Sequence, residues 1–157
     1  MIEDLKNRYD EIAKKKSLPN LEELDSEYEL GHVGPIMEVS FPLRFVRRRI
    51  GDRFAWAANF LQGLLQPNPS SVVSMQESKF FTELDRKKVV ELLKTFMYLE
   101  RTNLSLDIAN NDEDSVRWIR DAHKTWIESK KDLTNLTDKM KTGWKEEVKA
   151  GKGAYFG

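Results

Sequence analysis

The stretch Ile119-Arg120-Asp121-Ala122-His123-Lys124-Thr125-Trp126-Ile127-Glu128-Ser129-Lys130-Lys131-Asp132-Leu133-Thr134-Asn135-Leu136-Thr137-Asp138-Lys139-Met140 decides the fold class. Ile119, Trp126, Leu133 and Met140 recur every seven residues, and Ala122, His123, Leu136 and Trp144 occupy or flank the alternate positions. Apolar residues at that spacing form one seam along a helix, the pattern of antiparallel bundle packing. The run Asn110-Asn111-Asp112-Glu113-Asp114-Ser115 ahead of it reads as a turn whose carboxylates cap the helix N-terminus.

Working back, Thr82-Glu83-Leu84-Asp85 is a helix entry with Thr82 as cap and acids in the first turn. The helix that follows carries Val89, Leu92, Leu93, Phe96, Met97, Leu99, Leu104, Leu106 and Ile108, a broad apolar face suited to a central helix. Before it, Gln66-Pro67-Asn68-Pro69-Ser70-Ser71 breaks the chain, and 66–81 reads as loop. Ser40-Phe41-Pro42 opens an earlier helix, with proline in the first turn, and Pro67 ends it. That helix of about 24 residues spans ~36 Å at the usual rise. Leu43, Val46, Ile50, Ala57, Leu61 and Leu64 share one face of it, with Phe54 and Leu65 alongside.

At the N-terminus, Ile2, Leu5, Tyr9 and Ile12 give an amphipathic helix over Glu3 to Lys15. Asn20 then caps a second, short helix, with Glu23 as the returning residue of a capping box and Leu21, Leu24 and Tyr28 inward. Gly31, Gly34 and Pro35 interrupt the chain, and Ile36-Met37-Glu38-Val39 reads as loop. The expected fold is all-α: an antiparallel helical bundle of three long helices plus one or two short N-terminal helices. It forms a single domain over 1–150, with loops at 31–41, 66–81 and 109–115. The small-residue tail 151–157 is expected to be flexible.

At 157 residues, a domain buries roughly 68–70% of its unfolded surface, enough for a core without staples. There are no cysteines, which excludes disulfides, thiolate metal sites and cysteine nucleophiles. No apolar run of signal-peptide or membrane-spanning length occurs, so a cytoplasmic protein with no membrane partner is expected. Lysine plus arginine and aspartate plus glutamate each total 26, and that balance offers no general attraction to nucleic acid. The distribution is uneven, however. Residues 17–40 hold Glu22, Glu23, Asp25, Glu27, Glu29 and Glu38 without a lysine or arginine, whereas 41–56 hold Arg44, Arg47, Arg48, Arg49 and Arg53 against Asp52 alone.

Catalytic and metal-binding patterns are missing. Only His32 and His123 exist, and no Glu-x-x-His occurs, which a dinuclear carboxylate bundle needs. His123, on the bundle seam, reads as a partly buried, hydrogen-bonded histidine. The acidic run at 110–114 lacks the glycine and terminal glutamate of a calcium loop, and no phosphate-cradling glycine loop is present. No catalytic, cofactor-binding or metal residue is assigned, and no cofactor is expected.

The remaining feature is the arginine–aromatic helix. Phe45, Arg49 and Trp56 share a side distinct from the apolar face, whereas Arg47 flanks that face and Arg44 and Arg48 point away. Two readings are open for this stripe. It packs against the N-terminal helices with its arginines paired to the acidic segment, or it is an exposed contact surface of the residue types that anchor interfaces. Arginines on phosphates with Phe45 or Trp56 stacked on bases is a further possibility. The arginine-rich helix, the Pro-containing loop after it and the acid-led helix ending Leu99-Glu100-Arg101 resemble the helical domain of the GINS replication subunits. The resemblance covers residues 42–104, less than half of the chain. The small β domain expected of that family has no candidate strands here, and no residue role is carried over.

The expectation from sequence is therefore a non-enzymatic helical interaction module, a subunit of a larger assembly or a homo-oligomer. Phe45, Arg49 and Trp56, with Arg44, Arg48 and Arg53, are its candidate partner-binding residues, and Tyr155 and Phe156 a candidate docking peptide. The alternatives are a nucleic-acid-binding protein using the arginine-rich helix 42–66, and an enzyme whose site converges from separated side chains.

Overall fold

A computed structural model describes residues 2–31, 40–109 and 111–151. Among the described residues all regular structure is helical: α1 (Ile2–Lys16), α2 (Leu21–Tyr28), α3 (Pro42–Leu65), α4 (Val72–Ser78), α5 (Glu83–Ala109) and α6 (Asp112–Ala150). His32, the segment 33–39, Asn110 and the tail residues Tyr155 and Phe156 lie outside the described residues.

Local chemistry sets the helix ends. Asn20 accepts a hydrogen bond from the Glu23 N–H at 2.8 Å and so starts α2. Glu29, at φ 53°, closes it by returning its N–H to the Asp25 carbonyl. Thr82 and Asp85 cap α5 reciprocally, the Thr82 N–H donating to Asp85 Oδ2 at 2.8 Å and the Asp85 N–H to Thr82 Oγ1 at 3.2 Å. Asn111 caps α6 through the Asp114 N–H at 3.1 Å.

The chain forms two compact units, and α3, α5 and α6 each contribute to both. The first comprises Met1–Ala57 and Thr95–Ile127. Its core takes Leu5 and Tyr9 from α1, Leu24 from α2, Val46, Ile50 and Phe54 from α3, Phe96 from α5 and Ile119 from α6, all nearly inaccessible. Polar anchors fix the packing. The Leu21 N–H donates to Asp10 Oδ1 at 2.8 Å, tying α2 to α1, and Arg120 donates to the Lys16 carbonyl at 2.5 Å, tying α6 to the end of α1. Trp118 buries its indole against α5 and donates to the Leu99 carbonyl at 2.9 Å.

The second unit comprises Ala58–Lys94 and Glu128–Gly157. Leu61, Val89, Leu92 and Leu136 are buried in it. The short helix α4 lies within the stretch expected to be loop, which corrects that expectation. Two β-branched valines weaken its intrinsic helicity. What secures it is the Ser71 cap, which accepts the Ser74 N–H at 3.1 Å, and side-chain bonds to α6. Gln76 donates to Glu147 at 2.9 Å, and the Trp144 indole donates to Glu77 at 3.1 Å.

The broad apolar face expected of α5 is also corrected. Leu104 and Ile108 are exposed and Leu93 is half-buried, while Val89, Leu92, Phe96, Leu99 and Leu106 are buried. The buried set alternates by threes and fours, and that rhythm places Asn103 in the seam.

Gly143 on α6 meets the face of Phe80, whose ring is held edge-on by Trp144 with centroids 5.6 Å apart. A Cβ at Gly143 would stand 2.5 Å from that ring. Gly143→Ala gains up to about 1 kcal/mol of helix propensity and loses about 1–3 kcal/mol to overpacking. The expected net result is a lower urea midpoint; an unchanged or higher one would show that Phe80 swings clear without loss.

Candidate functional site

The arginines of α3 separate into an inner and an outer set. Arg47 follows the apolar face inward and is 1% exposed. A guanidinium so placed needs acceptors, and α5 supplies them. Arg47 donates to the Asn103 carbonyl at 2.7 Å, to Asn103 Oδ1, and to Asp107 Oδ1 at 2.6 Å. Gly51 permits this approach, since a Cβ there would press on the Asn103 amide. Arg48 Nε lies 3.4 Å and Arg44 Nε 3.7 Å from the same Asp107 oxygen. Burial alone would raise the Asp107 carboxyl, but the hydrogen bond and charge of Arg47, with Arg48 adding, outweigh it and hold the pKa below the usual aspartate value.

Farther along α3, Arg53 faces the acidic segment. It donates to the Glu27 carbonyl at 3.2 Å and pairs with Glu29 at 3.4 Å. Its guanidinium carbon sits 5.8 Å from the Trp56 ring centroid and 6.0 Å from that of Trp126. Trp126 donates its indole N–H to Glu27 Oε2 at 3.2 Å. Tyr28 Oη lies 3.0 Å from His123 Nδ1, and Glu23 lies 3.5 Å from His123 Nε2. Burial first, and Glu27 second, push the Tyr28 hydroxyl well above its ordinary pKa, so Tyr28 stays neutral.

Of the candidate contact residues, Phe45 is 2% exposed, which removes its ring from any exposed face; the Arg49 guanidinium covers it at 5.4 Å from the centroid. Trp56 is 59% exposed. Arg44, Arg48, Arg49 and Arg53 are partly exposed. Arg53 pairs with the acidic segment, while Arg44, Arg47 and Arg48 converge on Asp107. Other acids of the segment serve other partners: Glu22 pairs with Lys6, Glu23 lies beside His123 and Glu27 accepts from Trp126. Asn103 and Asp107 escape a reading of α3 alone; the signal for Asn103 is its seam position on α5, where a polar residue needs a buried partner.

Between α3 and α5 a shallow cleft of about 370 Å³ is lined by Phe45, Arg48, Arg49, Asp52, Asn103 and Asp107. Among the described residues no group of three or more histidine, aspartate or glutamate side chains converges as a metal-ligand set, and no helix is long and apolar enough to cross a membrane. No family model, curated protein or solved structure matches the chain.

Proposed function

We propose that the protein is a non-enzymatic helical interaction module, a subunit of a larger assembly or a homo-oligomer, whose contact face centres on Trp56. The observation that carries this reading is a tryptophan 59% exposed on a helix whose other large side chains at 45, 50 and 54 are buried. Trp56 is flanked by Arg53 at cation–π distance, and Trp with Arg is the composition of interface hot spots. Arg44, Arg48 and Arg49 extend the polar rim of the face, with Arg49 lying over the buried Phe45 ring. The finer architecture belongs to the same proposal: α3, α5 and α6 run antiparallel in one domain over 1–150. The short α5–α6 connection at 110–111 supports it, since short links join antiparallel neighbours.

The nucleic-acid alternative has less support, because each of the five arginines has a carboxylate within 4 Å: Asp107 for Arg44, Arg47 and Arg48, Asp52 for Arg49, and Glu29 for Arg53.

Trp56→Ala is expected to leave the melting temperature within about 2 °C, as surface changes do. It should weaken association with the partner or a second copy by at least about tenfold, a loss of roughly 1.4 kcal/mol or more. Light scattering against concentration reads self-association, and capture from the native source by wild type and variant side by side reads a foreign partner. A monomer at all concentrations, together with identical capture by both proteins, would sink the proposal.

A further inference from the structure

We propose that Arg44 and Arg48, backed by the buried Arg47, form a site for a doubly charged oxyanion of the phosphate-monoester class. Three guanidiniums share one oxygen of one carboxylate, Asp107 Oδ1, at 3.7, 2.6 and 3.4 Å for Arg44, Arg47 and Arg48. At Asp107 itself three positive charges meet one negative, an excess of two, with Asp112 a further acid lining the pocket beside Arg44. Arg49 with Asp52 and Arg53 with Glu29, by contrast, are each balanced. A phosphate monoester carries about −1.5 to −2 charges at neutral pH and matches that excess.

Hydrogen bonding points the same way. The Nε atoms of Arg44 and Arg47 are buried and have no hydrogen-bond acceptor among the described residues. Buried donors of this kind are rare, and an unseen ion or water is a standard explanation for one. Arg44 and Arg48 lie nearest Asp107 through Nε rather than through their terminal amino groups, and both side chains are part exposed. Those groups have the fork geometry that binds phosphate bidentately. Arg44 also stands in the first turn of α3, where no acid is present. A cation there opposes the helix dipole, and a bound anion would relieve that opposition. The cleft beside Arg48, about 370 Å³, has room for on the order of ten waters, and so for a phosphate and the group that bears it. The inference does not use Trp56, although Arg44 and Arg48 also stand in the rim of the proposed contact face.

The test follows the arginine Nε–Hε signals of the ¹⁵N-labelled full chain during titration with sodium phosphate, with chloride adjusted to keep ionic strength constant. Saturating shifts in the low-millimolar range are expected at Arg44, Arg47 and Arg48 and not at Arg86 or Arg117. Acetate should bind at least tenfold more weakly. Arg48→Gln, a change at a side chain 46% exposed, should keep the fold by circular dichroism and lose at least tenfold in phosphate affinity. Parallel titrations with O-phosphoserine and a nucleoside monophosphate separate a modified protein from a small metabolite as the source, and preference for either supports the site. Linear shifts shared by all arginines in phosphate and acetate alike would reduce the effect to screening and overturn the proposal. So would undiminished phosphate binding by Arg48→Gln. Tight, strongly salt-dependent binding of a single-stranded oligonucleotide with no response to phosphate would overturn it in favour of nucleic acid.

Discussion

Asp107→Ala is expected to destabilise the protein by about 3 kcal/mol, because it leaves the 1% exposed Arg47 guanidinium without its carboxylate. Removing one partner of a fully buried pair costs about 3–5 kcal/mol. The lower end applies here because Asp107 is 25% exposed and Asn103 still accepts from Arg47. In a chain of this size that loss lowers Tm by roughly 6–12 °C. Arg48→Gln, at the solvent-facing edge of the cluster, should cost less than about 1 kcal/mol by contrast. The pair of variants thus separates the buried bond from surface charge. The pH dependence follows from the depressed Asp107 pKa. A lowered folded-state value means that the carboxylate contributes stability above its unfolded pKa of about 3.9. That contribution disappears as pH falls from there through the folded value. Urea midpoints measured from pH 6 downward should fall more steeply for wild type than for Asp107→Asn. Parallel curves would show that Asp107 is not the titrating group.

Phe54→Ala is expected to cost about 3–5 kcal/mol, the largest effect of any single truncation proposed for this chain. Phe54 and Phe96 are fully buried and Trp126 nearly so. Phe54 meets Phe96 with centroids 4.9 Å apart at 70° and Trp126 at 5.6 Å and 84°, both edge-to-face. Such pairs contribute about 0.5–1.5 kcal/mol beyond the area they bury, so the cavity removes two of them as well as the ring. Chemical denaturation gives the magnitude, and the emission of Trp126 reports whether the loss is local. A cost under about 1.5 kcal/mol would mean that α3, α5 and α6 close over the gap in this unit.

Elements with strong local signals were legible in the sequence. Proline at 42 and 67 bounds α3 to within two residues, and the Asn20 cap starts α2 where its side chain indicates. The seven-residue rhythm from Ile119 names a seam on which Ile119, Ala122, Trp126 and Leu136 are buried. Helix α4 was not legible, because its stability comes from Gln76 and Glu77 reaching α6 rather than from its own propensity. Leu104 and Ile108 look like core by type, and only the spacing of the buried set on α5 shows that they face out. At the candidate site, opposite charge blocks adjacent in sequence suggested mutual pairing. A residue sixty positions away took most of the arginines instead: Asp107 bonds Arg47 across that separation. Charge composition says that arginines need acids, but only packing decides which acid is within reach.

The central claim, that the Trp56 side of α3 is a contact face, is tested most directly by hydroxyl-radical footprinting of Trp56. The isolated chain at low micromolar concentration is compared with the protein in its native assembly. Trp118 and Trp126, both buried, serve as internal references of low reactivity. The expected result is strong oxidation of Trp56 in the isolated chain, reduced several-fold in the assembly. Equal oxidation of Trp56 in both states would contradict the claim.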